Sequence, residues 1–175
     1  ATKDQLFQFN GKLYEQTDSV AMGSPLGPLM ANAFMCSIEE KLKQQNNMPS
    51  TNKRYVDDSF VVLKNRSAAD DFLFTLNNSH PSVIFTMETE VDKRLPFIGM
   101  EIIRVGDHLE TRVYHKSTNR GMLLHYHSHT NKRSYKCSLL KTMLNRAHRL
   151  PSTPQHFKTE CNKLKAIFLK LKYPL

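Results

Sequence analysis

The sequence predicts an α+β fold: a small antiparallel sheet with helices packed on one face, followed by a basic all-helical segment. Three observations predict it. Short runs of β-branched and aromatic residues are punctuated by turn residues, as at Asn10-Gly11, Asp57-Asp58-Ser59 and Gly106-Asp107. Apolar residues elsewhere recur at helical spacing, as in Leu29, Ala33, Phe34, Ile38 and Leu42. Charge then divides the chain. Residues 1–115 hold 12 Lys/Arg and 15 Asp/Glu, a net of −3, whereas 116–175 hold 13 Lys/Arg against Glu160 alone, a net of +12. The predicted domains are therefore 1–115 and 116–175.

In order, Leu6, Phe7 and Phe9, then Asn10-Gly11, then Leu13 and Tyr14 predict a hairpin. Residues 16–23 form a polar loop ending in glycine. Ser24-Pro25 starts a helix that runs to about Gln45. After a linker at 46–53, Tyr55-Val56 and Phe60-Val61-Val62-Leu63 flank Asp57-Asp58-Ser59 as a second hairpin, with the carboxylates at its tip. Ser67 caps a helix carrying Phe72, Leu73 and Leu76, which His80-Pro81 ends. Residues 83–88 and 95–105 read as strands, and 109–115 returns from the Gly106-Asp107 turn. Beyond Thr118, a helix spans 134–150, Pro151 and Pro154 break the chain, and a second helix spans 157–171.

At 175 residues the chain can bury a core, and its apolar content excludes wholesale disorder. No run is long enough to span a membrane, and no signal-peptide pattern opens the chain. Cys36, Cys137 and Cys161 are widely spaced and odd in number, which suggests free thiols in a reducing compartment, so the expectation is an intracellular protein, nuclear or cytoplasmic. The one-sided basic segment, which with His115 also holds six of the eight histidines, calls for a polyanion. An anionic membrane surface would attract it too, but nucleic acid is the better match, because the acidic half carries residues suited to phosphate chemistry. In this segment, Lys116, Lys132, Arg133, Lys136, Lys141, Arg146 and Arg149 are the candidate backbone-phosphate contacts, and Lys163, Lys165, Lys170 and Lys172 decorate the last helix.

Asp57 and Asp58 suit a hard divalent cation, Mg²⁺ or Mn²⁺, which takes one or two carboxylates plus water and phosphate oxygens. The plainer reading of any Asp-Asp pair is a solvated turn, and Asp70-Asp71 at a helix start is such a pair. His125, His127 and His129 alternate as on one strand face, but their spacing matches no usual structural zinc pattern.

Tyr55-Val56-Asp57-Asp58 before an apolar strand resembles the palm signature of reverse transcriptases. Residues 16–26, with Gln16, Met22, Gly23, Ser24 and Pro25, look like the nucleotide-binding motif of the same family. Leu95-Pro96-Phe97 and 113–118 also fit, and the combination most resembles Penelope-like retroelement reverse transcriptases across nearly the whole chain.

The resemblance implies a palm-like sheet and a thumb-like or helix-turn-helix-like basic segment. It also implies RNA-directed DNA polymerase activity, two-metal nucleotidyl transfer to a primer 3′-hydroxyl, with RNA template, DNA primer and deoxynucleotides as partners. Asp57 and Asp58 would be catalytic metal ligands, Tyr55 would lie beside the primer end, and Gln16, Met22, Gly23, Ser24 and Pro25 would contact nucleotide or template. Ser19, Gly99, Ser117 and Thr130 depart from the pattern. The upstream carboxylate of the metal site has no counterpart, since Asp4 and Glu15 have the wrong surroundings. The chain is therefore expected to be a polymerase part, inactive alone without the missing fingers and first palm strand. The alternative expectation is a non-catalytic nucleic-acid-binding module acting through the basic C-terminal helices.

Overall fold

The computed structural model describes residues 6–17, 20 and 23–174, apart from the side chains of Lys132 and Arg133. The chain divides into two compact units, residues 1–87 and 88–175.

The first unit opens with strands β1 (Leu6–Phe9) and β2 (Lys12–Glu15), joined by Asn10-Gly11. Both turn residues have positive φ, 48° and 76°, the type I′ geometry that Asn-Gly adopts at low steric cost. Helix α1 (Gly27–Gln44) starts slightly later than Ser24-Pro25 predicts. Ser24 instead accepts a turn hydrogen bond from Gly27 N–H, and Pro28 fills an early helical position where its missing N–H costs nothing. Ile38 and Leu42, one turn apart, are its buried residues.

Strands β3 (Thr51–Tyr55) and β4 (Asp58–Val62) follow as an antiparallel hairpin. Helix α2 (Arg66–Asn77) is capped by Asn65, whose side chain accepts from Ala68 N–H at 2.9 Å, rather than by Ser67. The predicted strand at 83–88 is absent. Asn77 accounts for this: its side chain accepts from Phe85 N–H at 2.7 Å and donates to Phe85 C=O at 3.2 Å, satisfying that backbone without a neighbouring strand.

The second unit contains a meander of β5 (Arg94–Phe97), β6 (Met100–Val105) and β7 (His108–Val113). The single strand predicted over 95–105 is two, folded at Ile98-Gly99, where both residues have positive φ. Pro96 is tolerated because β5 is an edge strand. One π-helical turn (Lys132–Lys136) leads into α3 (Cys137–Arg149), and Thr153 caps α4 (Pro154–Lys170). The 116–131 segment carries no helix or strand, so the all-helical description applies from 132 onward.

The α+β class is thus observed, but among the described residues the strands form three separate antiparallel sheets of two, two and three strands rather than one. The core of the second unit gathers Ala147, Leu164, Phe168 and Tyr173, with Leu123, Tyr126 and Leu140 packed against them. No helix among the described residues is long and apolar enough to cross a membrane.

Candidate nucleic-acid interface and carboxylate hairpin

The Asp57–Asp58 hairpin turns one residue earlier than its polar residues suggest. Tyr55 pairs with Asp58, so Val56 and Asp57 form the loop and Asp58 begins β4. Val56 has φ 57°, whereas Asp57 does not share that sign, the pattern of a type II′ turn in which glycine is the rule at the first position. Arg54 holds this tip. Its Nη1 donates to Val56 C=O at 2.9 Å, Nε to Glu39 Oε1, and Nη2 to Asn32 Oδ1 at 3.1 Å, tying the hairpin to α1. The hydrogen bond that Arg54 donates to Glu39 raises the guanidinium pKa above its ordinary value.

Asp57 and Asp58 are exposed, and Tyr55 is 61% exposed beside them. Gln16 is half-buried after β2, Gly23 is exposed with φ 90°, Ser24 is half-buried and Pro25 exposed. Met22 lies outside the described residues, as do Asp4 and Ser19. Glu15 is exposed on β2. Among the described residues, no three His, Cys, Asp or Glu side chains are grouped to hold a metal ion. Two carboxylates on one tip suit a single hard cation completed by water and phosphate oxygens; they do not complete a two-ion site.

The second unit is built differently. Residue Glu160, the one carboxylate of the basic segment, is only 8% exposed and faces His115 Nε2 at 3.0 and 3.1 Å. Glu110 on β7 meets His156 Nε2 at 3.0 Å, Thr111 Oγ1 donates to Leu150 C=O at 2.6 Å, and Ser152 Oγ accepts from Thr111 N–H at 2.8 Å. These links fasten α4 and the α3–α4 turn to the meander. Tyr173 closes the core, its hydroxyl donating to Leu124 C=O at 2.9 Å, and burial pushes its phenol pKa up.

The predicted phosphate contacts divide accordingly. Lys116, Lys141 and Arg149 are exposed. Lys136 is not: at 4% exposure its ammonium donates to Ser128 C=O at 2.8 Å and sits 5.5 Å above the Tyr126 ring, so its role is internal. Arg146 donates to Gly99 C=O at 3.3 Å and is half-buried. The side chains of Lys132 and Arg133 lie outside the description. The predicted histidine strand is a turn, with His125 Nδ1 accepting from His127 N–H at 3.2 Å. Sequence reasoning missed Lys158, which is exposed on α4, and the Arg54 clamp. Helical projection would have revealed the first; the second spans 15 residues of sequence and has no local signal.

Residues 122–175 match the family model described as the animal helix-turn-helix domain. That span covers the π-helical turn, α3 and α4. No curated protein and no solved structure matches the chain.

Proposed function

We propose that this chain binds nucleic acid through the helix pair of its second unit, as a non-catalytic module acting inside the cell. The observation that carries the reading is the inward placement of Glu160. With its carboxylate turned to His115, the described part of 116–175 exposes lysines and arginines and no side-chain carboxylate. Such a surface attracts phosphates without local repulsion. The helix-turn-helix match over residues 122–175 supports it. Fluorescence anisotropy with labelled oligonucleotides across a salt series tests it. The reading expects affinity to drop steeply as salt rises; salt-independent binding, or none at low salt, overturns it.

A second reading is favoured by the hairpin. The strained tip at Val56 presents Asp57, with Asp58 and Tyr55 adjoining, and these are the residues that carry the resemblance to reverse transcriptases. In this reading the chain is the palm-and-thumb part of a retroelement RNA-directed DNA polymerase. It would engage RNA template, DNA primer and deoxynucleotides, with Mg²⁺ or Mn²⁺ held at Asp57 and Asp58 and a further carboxylate supplied from elsewhere. Metal-dependent primer extension on an RNA template, run beside Asp57→Asn, separates the readings. Extension that the substitution abolishes supports polymerase chemistry; no extension with salt-sensitive binding intact leaves the binding module.

A further inference from the structure

Among the described residues, β1 is the one strand without a charged side chain. It reads Leu6-Phe7-Gln8-Phe9, whereas β2 to β7 each hold at least one Lys, Arg, Asp or Glu. Within the same residues β1 pairs with β2 alone, so its other edge has no strand beside it. Every residue of both strands is exposed. Leu6, Phe7, Phe9, Leu13 and Tyr14 are between 44% and 71% exposed, so neither face of the ribbon is covered. A two-stranded ribbon alone is marginal in water, and free edges are normally blunted by charge or proline. Strand β1 has neither.

The register gives that edge a specific partner. Phe9 and Lys12 flank the two-residue Asn10-Gly11 loop, and such a flanking pair exchanges both of its backbone hydrogen bonds. By alternation Gln8, opposite Leu13, points its N–H and C=O away from β2. A second copy running antiparallel, with its own Gln8 opposite, meets them with the same two groups. The pair then forms two reciprocal hydrogen bonds, each copy donating one. This register also sets Phe7 opposite Phe9 of the second copy, a position where paired side chains are closest. Phe7, Phe9, Lys12 and Tyr14 share one face of the ribbon, and Phe7 stacks on Tyr14 with ring centroids 5.6 Å apart. Each row across the joined sheet therefore runs Tyr14, Phe7, then Phe9 and Lys12 of the second copy. Aromatic rings meet at the seam, and no like charges oppose one another.

We infer that the chain forms a two-fold dimer by antiparallel pairing of β1 with β1 of a second copy, giving a four-stranded sheet in the order β2-β1-β1-β2. Four strands meet the number that independent sheet stability requires. The outer edges of the joined sheet are the β2 strands, which carry Lys12 and Glu15. Charges of this kind blunt an edge, so assembly closes at two copies. Strand β1 opposes itself without repulsion and with every phenyl ring matched, which favours a second copy over a strand of another protein. The inference is independent of the nucleic-acid-binding reading, and either can fail alone.

The test is sedimentation equilibrium of the full chain, treated with nuclease and run in high salt over a range of concentrations. The expected result is a monomer–dimer equilibrium. Gln8→Pro deletes both donated bonds across the seam and none within the hairpin. It raises the dissociation constant by about 5- to 150-fold, the range for two backbone hydrogen bonds. Gln8→Lys and Gln8→Glu each set like charges opposite one another and weaken the dimer alone, whereas an equimolar mixture of the two forms a heterodimer. That rescue requires residue 8 to face itself, and a misfolded hairpin cannot produce it. An unaltered chain that stays monomeric overturns the inference and leaves the edge to a strand of another protein. A dimer that Gln8→Pro leaves intact overturns it too, as does a mixture no more dimeric than its components. Species that keep growing beyond two copies overturn the closure and with it the two-fold seam.

Discussion

Val56 holds a β-branched side chain at φ 57°, a region where such residues are genuine outliers. A conformation of this kind costs about 1–3 kcal/mol and persists only where its surroundings impose it. Here Arg54 does so, through its hydrogen bond to the Val56 carbonyl and its bonds to Glu39 and Asn32. Val56 is mostly exposed, so its side chain returns little burial energy. Glycine would remove the steric clash at an unfolded-state cost of about 0.5–1 kcal/mol. Val56→Gly is therefore expected to stabilise the first unit by about 1 kcal/mol, read as a higher denaturant midpoint. A lower midpoint would show that the valine side chain, not the backbone, is what the tip depends on. The turn's position was not legible from residue type, because Asp-Asp-Ser is better turn material than Val-Asp. Pairing decides it instead: the Lys53–Phe60 and Asn52–Val61 register directs Phe60 and Val61 to partly buried positions, which leaves Val56-Asp57 as the loop.

At the scale of elements, what was legible followed local chemistry. Asn10-Gly11 and Gly106-Asp107 are turns, because turn preferences act within a few residues, whereas α4 opens at Thr153-Pro154, ahead of the start expected at Phe157, because Thr153 caps it and Pro154 suits a first helical position. The lost strand at 83–88 and the shortened inventory of phosphate contacts failed for the opposite reason. Asn77, Ser128 and Gly99 recruit Phe85, Lys136 and Arg146 through contacts between segments that no periodicity encodes. Tyr173 is another such contact, and it has a measurable pH signature. Its phenol is raised above 10.0 in the folded chain, first by burial and then by Cys137, so the folded state holds the proton more tightly than the unfolded state. That stability is fully present below about pH 10, the unfolded value, and declines as pH rises through the folded value. Tyr173→Phe is expected to cost about 1 kcal/mol at neutral pH through the lost bond to Leu124 C=O, and to flatten the decline above about pH 10. Urea denaturation at neutral and alkaline pH checks both, and a mutant with an unchanged alkaline decline would show that another group governs it.

Across the whole molecule, the compact units keep the charge division that the sequence already shows, with a smaller contrast. Residues 1–87 hold 8 Lys/Arg and 9 Asp/Glu, a net of −1, and 88–175 hold 17 against 7, a net of +10. Composition made the asymmetry visible. It could not show that Glu160 turns inward, that Lys136 is consumed by the fold, or that Lys163 and Lys170 stand exposed on α4. Those placements make the location of binding testable on the intact chain. Each phosphate neutralised on duplex DNA contributes about 0.9 to the slope of log affinity against log salt. If Lys163 and Lys170 each engage one phosphate, replacing both with Gln should reduce the slope by roughly 2 and weaken binding most at low salt. Replacing Lys53 and Lys64 of the first unit with Gln removes the same formal charge but should leave the slope unchanged. Equal losses from the two pairs would mean that affinity follows net charge alone, and the helix pair would lose its claim to be the binding surface.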